Sequence, residues 1–257
     1  MSFASRSLFS LFANLYKGFF VFITGILLAR GLGPEEYGVL AFLLASFVAI
    51  RSLLEMGTSS AFPTFISKRS RSRKYFFYYI IWMIFQLAVS LLFIAILTPD
   101  EWLEKIWGGE SRVRVLVAFV AVFMQQQVWN MVAQIGESQR FTVRVQSINV
   151  AVVTVHLAAV AGMLWLDALS IERICYFITA EIMVACVVAY FLFPMTYTDE
   201  VETPQHVFKE YWKFCLPLIP RTWMIMIMGY ADTRLLQHYG GGSRTSLLCC
   251  CRTIFHD

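Results

Sequence analysis

The sequence predicts an all-α fold: a polytopic membrane helix bundle with about seven transmembrane helices. Three observations predict it. Hydrophobic residues make up 58% of the chain and charged residues 15%, against roughly 45–50% and about 25% in soluble domains. Mean hydropathy is +0.64, more apolar surface than a soluble core of this length could hide. Finally, apolar runs of about twenty residues, the length a helix needs to cross a hydrocarbon core of about 30 Å, recur between polar links.

The runs follow in order. Leu8 to Leu28 is apolar except for Lys17. The stretch "LLARGLGPEEYG" comes next; Pro34 and its glycines end one helix and start another, and Arg30, Glu35 and Glu36 favour a wet interface. Gly31 and Gly33 begin a G-x-G-x-x-G pattern that Glu36 breaks, and no strand precedes them, so this is a hairpin turn and not a phosphate loop. Val39 to Ile66 is interrupted by Arg51 and Glu55. Tyr75 to Leu97 carries no charge, and Val115 to Ile135 and Ser147 to Leu166 carry only amides and a histidine. Ile174 to Met195 is apolar except for Glu181. Phe214 to Tyr239 is weaker, being broken by Pro217, Pro220, Arg221, Asp232 and Arg234, and is expected to be kinked.

Basic residues set the orientation. With the N-terminus inside, the inner links hold Arg6, the "SKRSRSRK" run of residues 67–74, Arg140, Arg144, Lys209 and Lys213; the outer links hold Arg30, Lys105, Arg112, Arg114 and Arg173. That excess favours a cytoplasmic N-terminus. The net charge is only +4 and the basic residues form no extended stripe, which argues against nucleic acid as a partner. The cysteines make no C-x-x-C pair and no histidine stands at zinc-ligand spacing, so neither a metal site nor a cofactor is expected. No cleavable signal peptide is evident. G-x-S-x-G, Walker A and H-E-x-x-H are absent, so no enzyme is predicted.

Ionisable groups at membrane depth are costly and usually face a bundle interior or a water-filled cavity. Lys17 lies midway along the first run. Arg51 and Glu55, at i and i+4, share a helix face in the second. The three together form a net positive locus suited to an anionic phosphate-bearing substrate, or else a structural ion-pair cluster. Glu181, about 11 Å into its span by helical rise, is a candidate buried pair or proton site, with Asp232 a second candidate for ion or proton coupling. Gln127, Asn130 and Gln134 fall on one face at i, i+3 and i+7, where amides contact sugar hydroxyls or, more commonly, neighbouring helices. His156, seven residues from Asn149 in the fifth span, is read as a packing residue before a proton relay.

The stretches "LLARGLGPEEYGVLAF" and "LLEMGTSSAF" resemble the N-terminal part of polysaccharide biosynthesis and O-antigen flippases, in the multidrug/oligosaccharidyl-lipid/polysaccharide exporter superfamily; "FCLPLIP" and "MGYADTRLLQHYGG" resemble the opening of their second lobe. Glu55-Met56-Gly57 stands where the family usually has Asp-x-Gly, and Thr233 separates an Asp-Arg pair common there. The resemblance implies two helical lobes around a central cavity that carry a lipid-linked, undecaprenyl-type oligosaccharide across the bacterial cytoplasmic membrane by alternating access. By position, Lys17, Arg51 and Arg221 match the cationic cavity residues of such proteins. Residues 1–195 are then a six-helix bundle, 196–213 a cytoplasmic linker, 214–240 the start of the second lobe, and 241–257, "GGSRTSLLCCCRTIFHD", an atypical tail. The tail is expected to replace further helices through a frameshift or truncation, which leaves open whether the shortened chain is active. The implied partners are the lipid-linked oligosaccharide, membrane lipids and other polysaccharide assembly proteins. A multidrug or cation antiporter of the same superfamily would call for more acidic cavity residues. A membrane-embedded saccharide polymerase or glycosyltransferase would call for a larger extramembrane loop.

Overall fold

The computed structural model describes residues 3–55, 58–68, 71–107, 109–193, 203–220, 223, 224 and 228. Among these the only regular elements are helices: α1 (Phe3–Glu55), α2 (Thr58–Lys68), α3 (Arg73–Leu92), α4 (Asp100–Trp107), α5 (Arg112–Phe123), α6 (Trp129–Ser138), α7 (Thr142–Trp165), α8 (Ile171–Leu192) and α9 (Pro204–Cys215). A π-helical turn, Phe93–Leu97, extends α3, and another, Met124–Val128, joins α5 to α6. Among the described residues, five stretches are long and apolar enough to cross a membrane: Ser5–Val48, Arg73–Leu97, Arg112–Ser138, Thr142–Trp165 and Ile171–Leu192. Their outer faces expose large apolar side chains such as Phe12, Phe19, Ile84, Ile96, Val184 and Phe191, a pattern at home in lipid tails and costly in water. The chain is a multi-pass membrane protein. Of the expected seventh span, Phe214 to Tyr239, residues 214–220, 223, 224 and 228 are described and the rest lies outside the described residues.

Two compact units divide the chain. The first comprises Met1–Leu40 and Val113–Met195. Within it α1 is not one straight rod. Gly33 takes φ 78° and ψ 168°, a region open in practice only to glycine, and Pro34 follows at the start of the next helix, where its missing N–H costs nothing. The chain doubles back there. The Tyr37 hydroxyl comes within 3.8 Å of where a Gly25 Cβ would stand, although twelve residues of straight helix would separate the two positions by about 18 Å. The turn is docked as well as bent: a Cβ on Gly31 would meet Leu164 and Leu169 at 2.7 and 2.5 Å, so a side chain there would push both leucine methyls aside. The core of this unit gathers Trp129, Val145, Ile148, Ile182, Ala185, Ala189 and Phe193 from α6, α7 and α8. Helix ends are tied down by side chains: Ser170 caps α8, Arg114 pairs with Glu172 at 2.6 Å, and Arg144 donates to the Leu192 carbonyl at 2.6 Å.

The second unit comprises Ala41–Arg112 and Thr196–Asp257. Phe47, Phe62 and Tyr75 are fully buried in it, and Phe62 stacks on Tyr79 with ring centroids 4.1 Å apart. Arg112 closes the C-terminal end of α3, donating to the carbonyls of Ile94, Ala95 and Thr98 and to Asp100. The polar link expected over residues 196–213 contains a helix, α9, with Pro204 in its first turn. Arg71 also departs from expectation. Its place in the basic run suggests a solvated charge, yet its side chain is 1% exposed and holds Glu210 of α9 through two hydrogen bonds of 3.0 and 3.1 Å.

Candidate functional site

A set of polar residues of the first unit lies midway along its membrane-length helices. The α7–α8 pair is an antiparallel hairpin joined through residues 166–170, so residues equally distant from that connection meet at one depth. His156 and Glu181 are such residues. The imidazole Nδ1 lies 3.0 Å from Glu181 Oε1 and 3.1 Å from Oε2, with the histidine side chain 18% and the glutamate side chain 6% exposed. Phe177, one turn before Glu181, sets its ring 5.9 Å from the imidazole and walls that side with hydrocarbon.

Around this pair lie further polar contacts of the same unit. Tyr16 and Thr154 share a hydrogen bond of 3.1 Å between α1 and α7, which places Lys17, the next residue, on the helix that borders the pair's own helix. Lys17 is half-buried, and none of the described acidic residues forms an ion pair with it. Trp129 Nε1 donates to Asn149 Oδ1 at 2.8 Å, joining α6 to α7. The π-helical turn carries Gln125, Gln126 and Gln127; such turns widen the helix and recur at functional sites. Gln127 is buried, whereas Asn130 is exposed and donates to its own helix at the Gln126 carbonyl, 2.6 Å away. Those two amides do not share one buried face, because the wide turn interrupts the 3.6-residue spacing on which that expectation rests.

Other expected site residues fall elsewhere. Arg51 and Glu55 belong to α1, but their side chains lie outside the described residues, as do Arg221 and Asp232 altogether. Among the described residues no three His, Cys, Asp or Glu side chains converge as a metal site would require.

In chemical terms the His156–Glu181 pair sets a basic and an acidic side chain in direct hydrogen-bond contact between two membrane-length helices. Reading each span separately left Glu181 as a candidate buried pair or proton site with no partner named, and His156 as a packing residue before a proton relay. The signal that finds the pair is their equal distance from the connecting loop.

A model of the polysaccharide biosynthesis protein family matches residues 4–245. The chain belongs to that family. No curated protein and no solved structure matches it. The match spans every helix of this polysaccharide biosynthesis family member, α1 to α9, and so includes the mid-membrane polar layer and the Gly33–Pro34 turn.

Proposed function

We propose that this polysaccharide biosynthesis family member moves a lipid-linked oligosaccharide precursor across the bacterial cytoplasmic membrane, acting as a transporter and not an enzyme. The observation that carries the reading is the polar layer inside a membrane-length bundle, with a half-buried lysine and a His–Glu pair where hydrocarbon would suffice for packing. An ionisable group at the bilayer centre costs about 2.5–3.5 kcal/mol on insertion scales, so such groups are retained where water, a substrate or a proton meets them. Lys17, with Arg51 and Arg221, supplies positive charge to the pyrophosphate-bearing lipid; Gln127 and Asn130 offer amides to sugar hydroxyls. Glu181, with His156, is the proton-exchanging element that drives or times the cycle, and Asp232 is a further coupling candidate. Residues 1–195 act as the N-terminal lobe, 196–213 as the cytoplasmic linker and 214–240 as the opening of a second lobe, with the N-terminus cytoplasmic.

The test is complementation of a strain lacking its polysaccharide flippase by this gene. Lys17→Ala combined with Arg51→Ala should abolish surface polysaccharide while the protein still reaches the membrane; wild-type polysaccharide would sink the cavity assignment. Glu181→Gln should remove the response of translocation in inverted vesicles to an imposed pH gradient. An unchanged response would remove the pair from the mechanism.

A further inference from the structure

Helix α9 has two faces with different destinies. One is locked into the second unit: Val207 and Cys215 are buried, Phe214 packs edge-on to Phe65 at 5.2 Å, and the Tyr211 hydroxyl bonds that of Tyr75 at 2.7 Å. The Arg71–Glu210 fork fastens the same face, with the guanidinium also lying 4.7 Å over the Tyr75 ring. The opposite face is open. Phe208 is 68% and Trp212 54% exposed, and their rings stack at 6.3 Å, so the two form one apolar blade. Lys209 and Lys213, next along the helix circumference, are exposed as well.

Depth decides what this face meets. Tyr75 stands in the first turn of the membrane-length stretch Arg73–Leu97, and Tyr79, one turn deeper, also faces Tyr211 at 6.4 Å. The middle of α9 is therefore pinned where α3 enters the bilayer, within a turn or two of the headgroup level. Charge decides which headgroup. Arg71 joins the basic run to α9, so the exposed Lys68, Arg73 and Lys74 lie at the same end of the unit as Lys209 and Lys213. Glu210, the acidic residue described on α9, is already committed to Arg71. Asp199, Glu200 and Glu202 precede the helix and lie outside the described residues.

We propose that α9 is a docking surface for anionic phospholipid headgroups of the leaflet it borders. Phe208 and Trp212 enter the headgroup–acyl boundary, and Lys209 and Lys213 hold the phosphates. An amphipathic helix with aromatic anchors and a cationic flank has the chemistry of an interfacial helix, and the buried fork keeps it in register with the end of the span.

The test uses the full chain in delipidated non-ionic micelles, titrated with short-chain phosphatidylglycerol or phosphatidylcholine of the same chain length, and reads hydrogen exchange of the α9 amides. Phosphatidylglycerol should slow that exchange at lower concentration than phosphatidylcholine. A basic side chain near an anionic surface contributes about 1 kcal/mol, about fivefold in affinity, so Lys209→Gln with Lys213→Gln should raise the phosphatidylglycerol half-point by roughly 25-fold and leave the phosphatidylcholine half-point unchanged. The Arg replacements should keep it within a few-fold, and Phe208→Ser with Trp212→Ser should weaken both lipids alike. Equal response to the two lipids, or indifference to the Gln replacements, overturns the proposal and assigns the aromatic blade to a protein partner. None of these readouts requires transport, so the proposal can fail while the translocation reading stands, and the reverse.

Discussion

Removing Glu210 should open α9, and the size of the opening can be worked out from its partner. In Glu210→Ala the Arg71 guanidinium loses both hydrogen bonds to that carboxylate and keeps, among its described contacts, Nε to the Phe65 carbonyl at 3.4 Å and two aromatic faces. It remains a charge with a side chain 1% exposed, now without the Glu210 carboxylate. Breaking a buried ion pair from one side costs about 3–5 kcal/mol; Glu210 is 29% exposed, so the lower end, about 3 kcal/mol, applies. Arg71 regains its hydration when α9 lifts, so the loss falls on local opening of that helix and not on the whole bundle. Cys215 reports it directly. Cys215 is 5% exposed, which withholds its thiol from reagent. At 1.4 kcal/mol per tenfold, maleimide labelling of Cys215, followed by peptide-resolved mass spectrometry, should accelerate about a hundredfold. Arg71→Met should do far less, tenfold at most: the methionine fills the slot between Phe65 and Tyr75, and Glu210 can turn to water. Unchanged labelling in Glu210→Ala would show that the aromatic contacts alone hold α9, and equal acceleration by the two variants would show that the stranded Arg71 charge is not what opens it.

Three further outcomes follow from the same geometry. Gly33→Ala forces a side chain into φ 78°, ψ 168°, and unfolding in mixed SDS micelles should show a loss of about 1–3 kcal/mol, whereas Gly18→Ala, with nothing within 4 Å of the new methyl, should lose nothing. A double-mutant cycle of Trp129→Phe and Asn149→Ala should return a coupling of about 0.6 kcal/mol and not above about 1.7, the range for hydrogen bonds between membrane helices; zero coupling would mean the 2.8 Å contact contributes only to register. Burial, with Tyr75 beside it, holds the Tyr211 phenol well above its ordinary range. The docked state therefore keeps its full stability below the ordinary tyrosine pKa of about 10 and loses it as pH rises further. Cys215 labelling, corrected for thiolate fraction, should be flat from about pH 7 to 9 and climb above about 10; in Tyr211→Phe that climb should shrink.

The spans were legible because bilayer thickness dictates their length and lipid tails dictate their composition; no partner helix need be known to see that Tyr75–Leu97 crosses. The turn at Gly33–Pro34 was legible for a similar reason, since a residue free to take positive φ followed by one lacking an N–H is a local instruction. Helix α9 was not seen, although Pro204 and the spacing of Val207, Tyr211 and Phe214 announce it. A charged stretch between membrane runs reads as a loop until the buried face that pairs with Phe65 and Tyr75 is known.

The same difference separates the charges. A count of basic residues in "SKRSRSRK" treats Arg71 and Lys74 alike, yet one is sealed under Glu210 and the other exposed; nothing local distinguishes them, because the distinguishing partner is far along the chain. His156 and Glu181 occupy the middle ground. Their helices are consecutive, so chain geometry alone sets their common depth, and only the rotation of each helix about its axis had to come from the structure. A polar residue inside a span can therefore be assigned from sequence in proportion to how rigidly the chain ties it to its partner. By that measure the hairpin pair is the firmest element of the candidate site, and Lys17, whose expected partners lie on the far side of the Gly33 turn, is the one whose role rests on experiment.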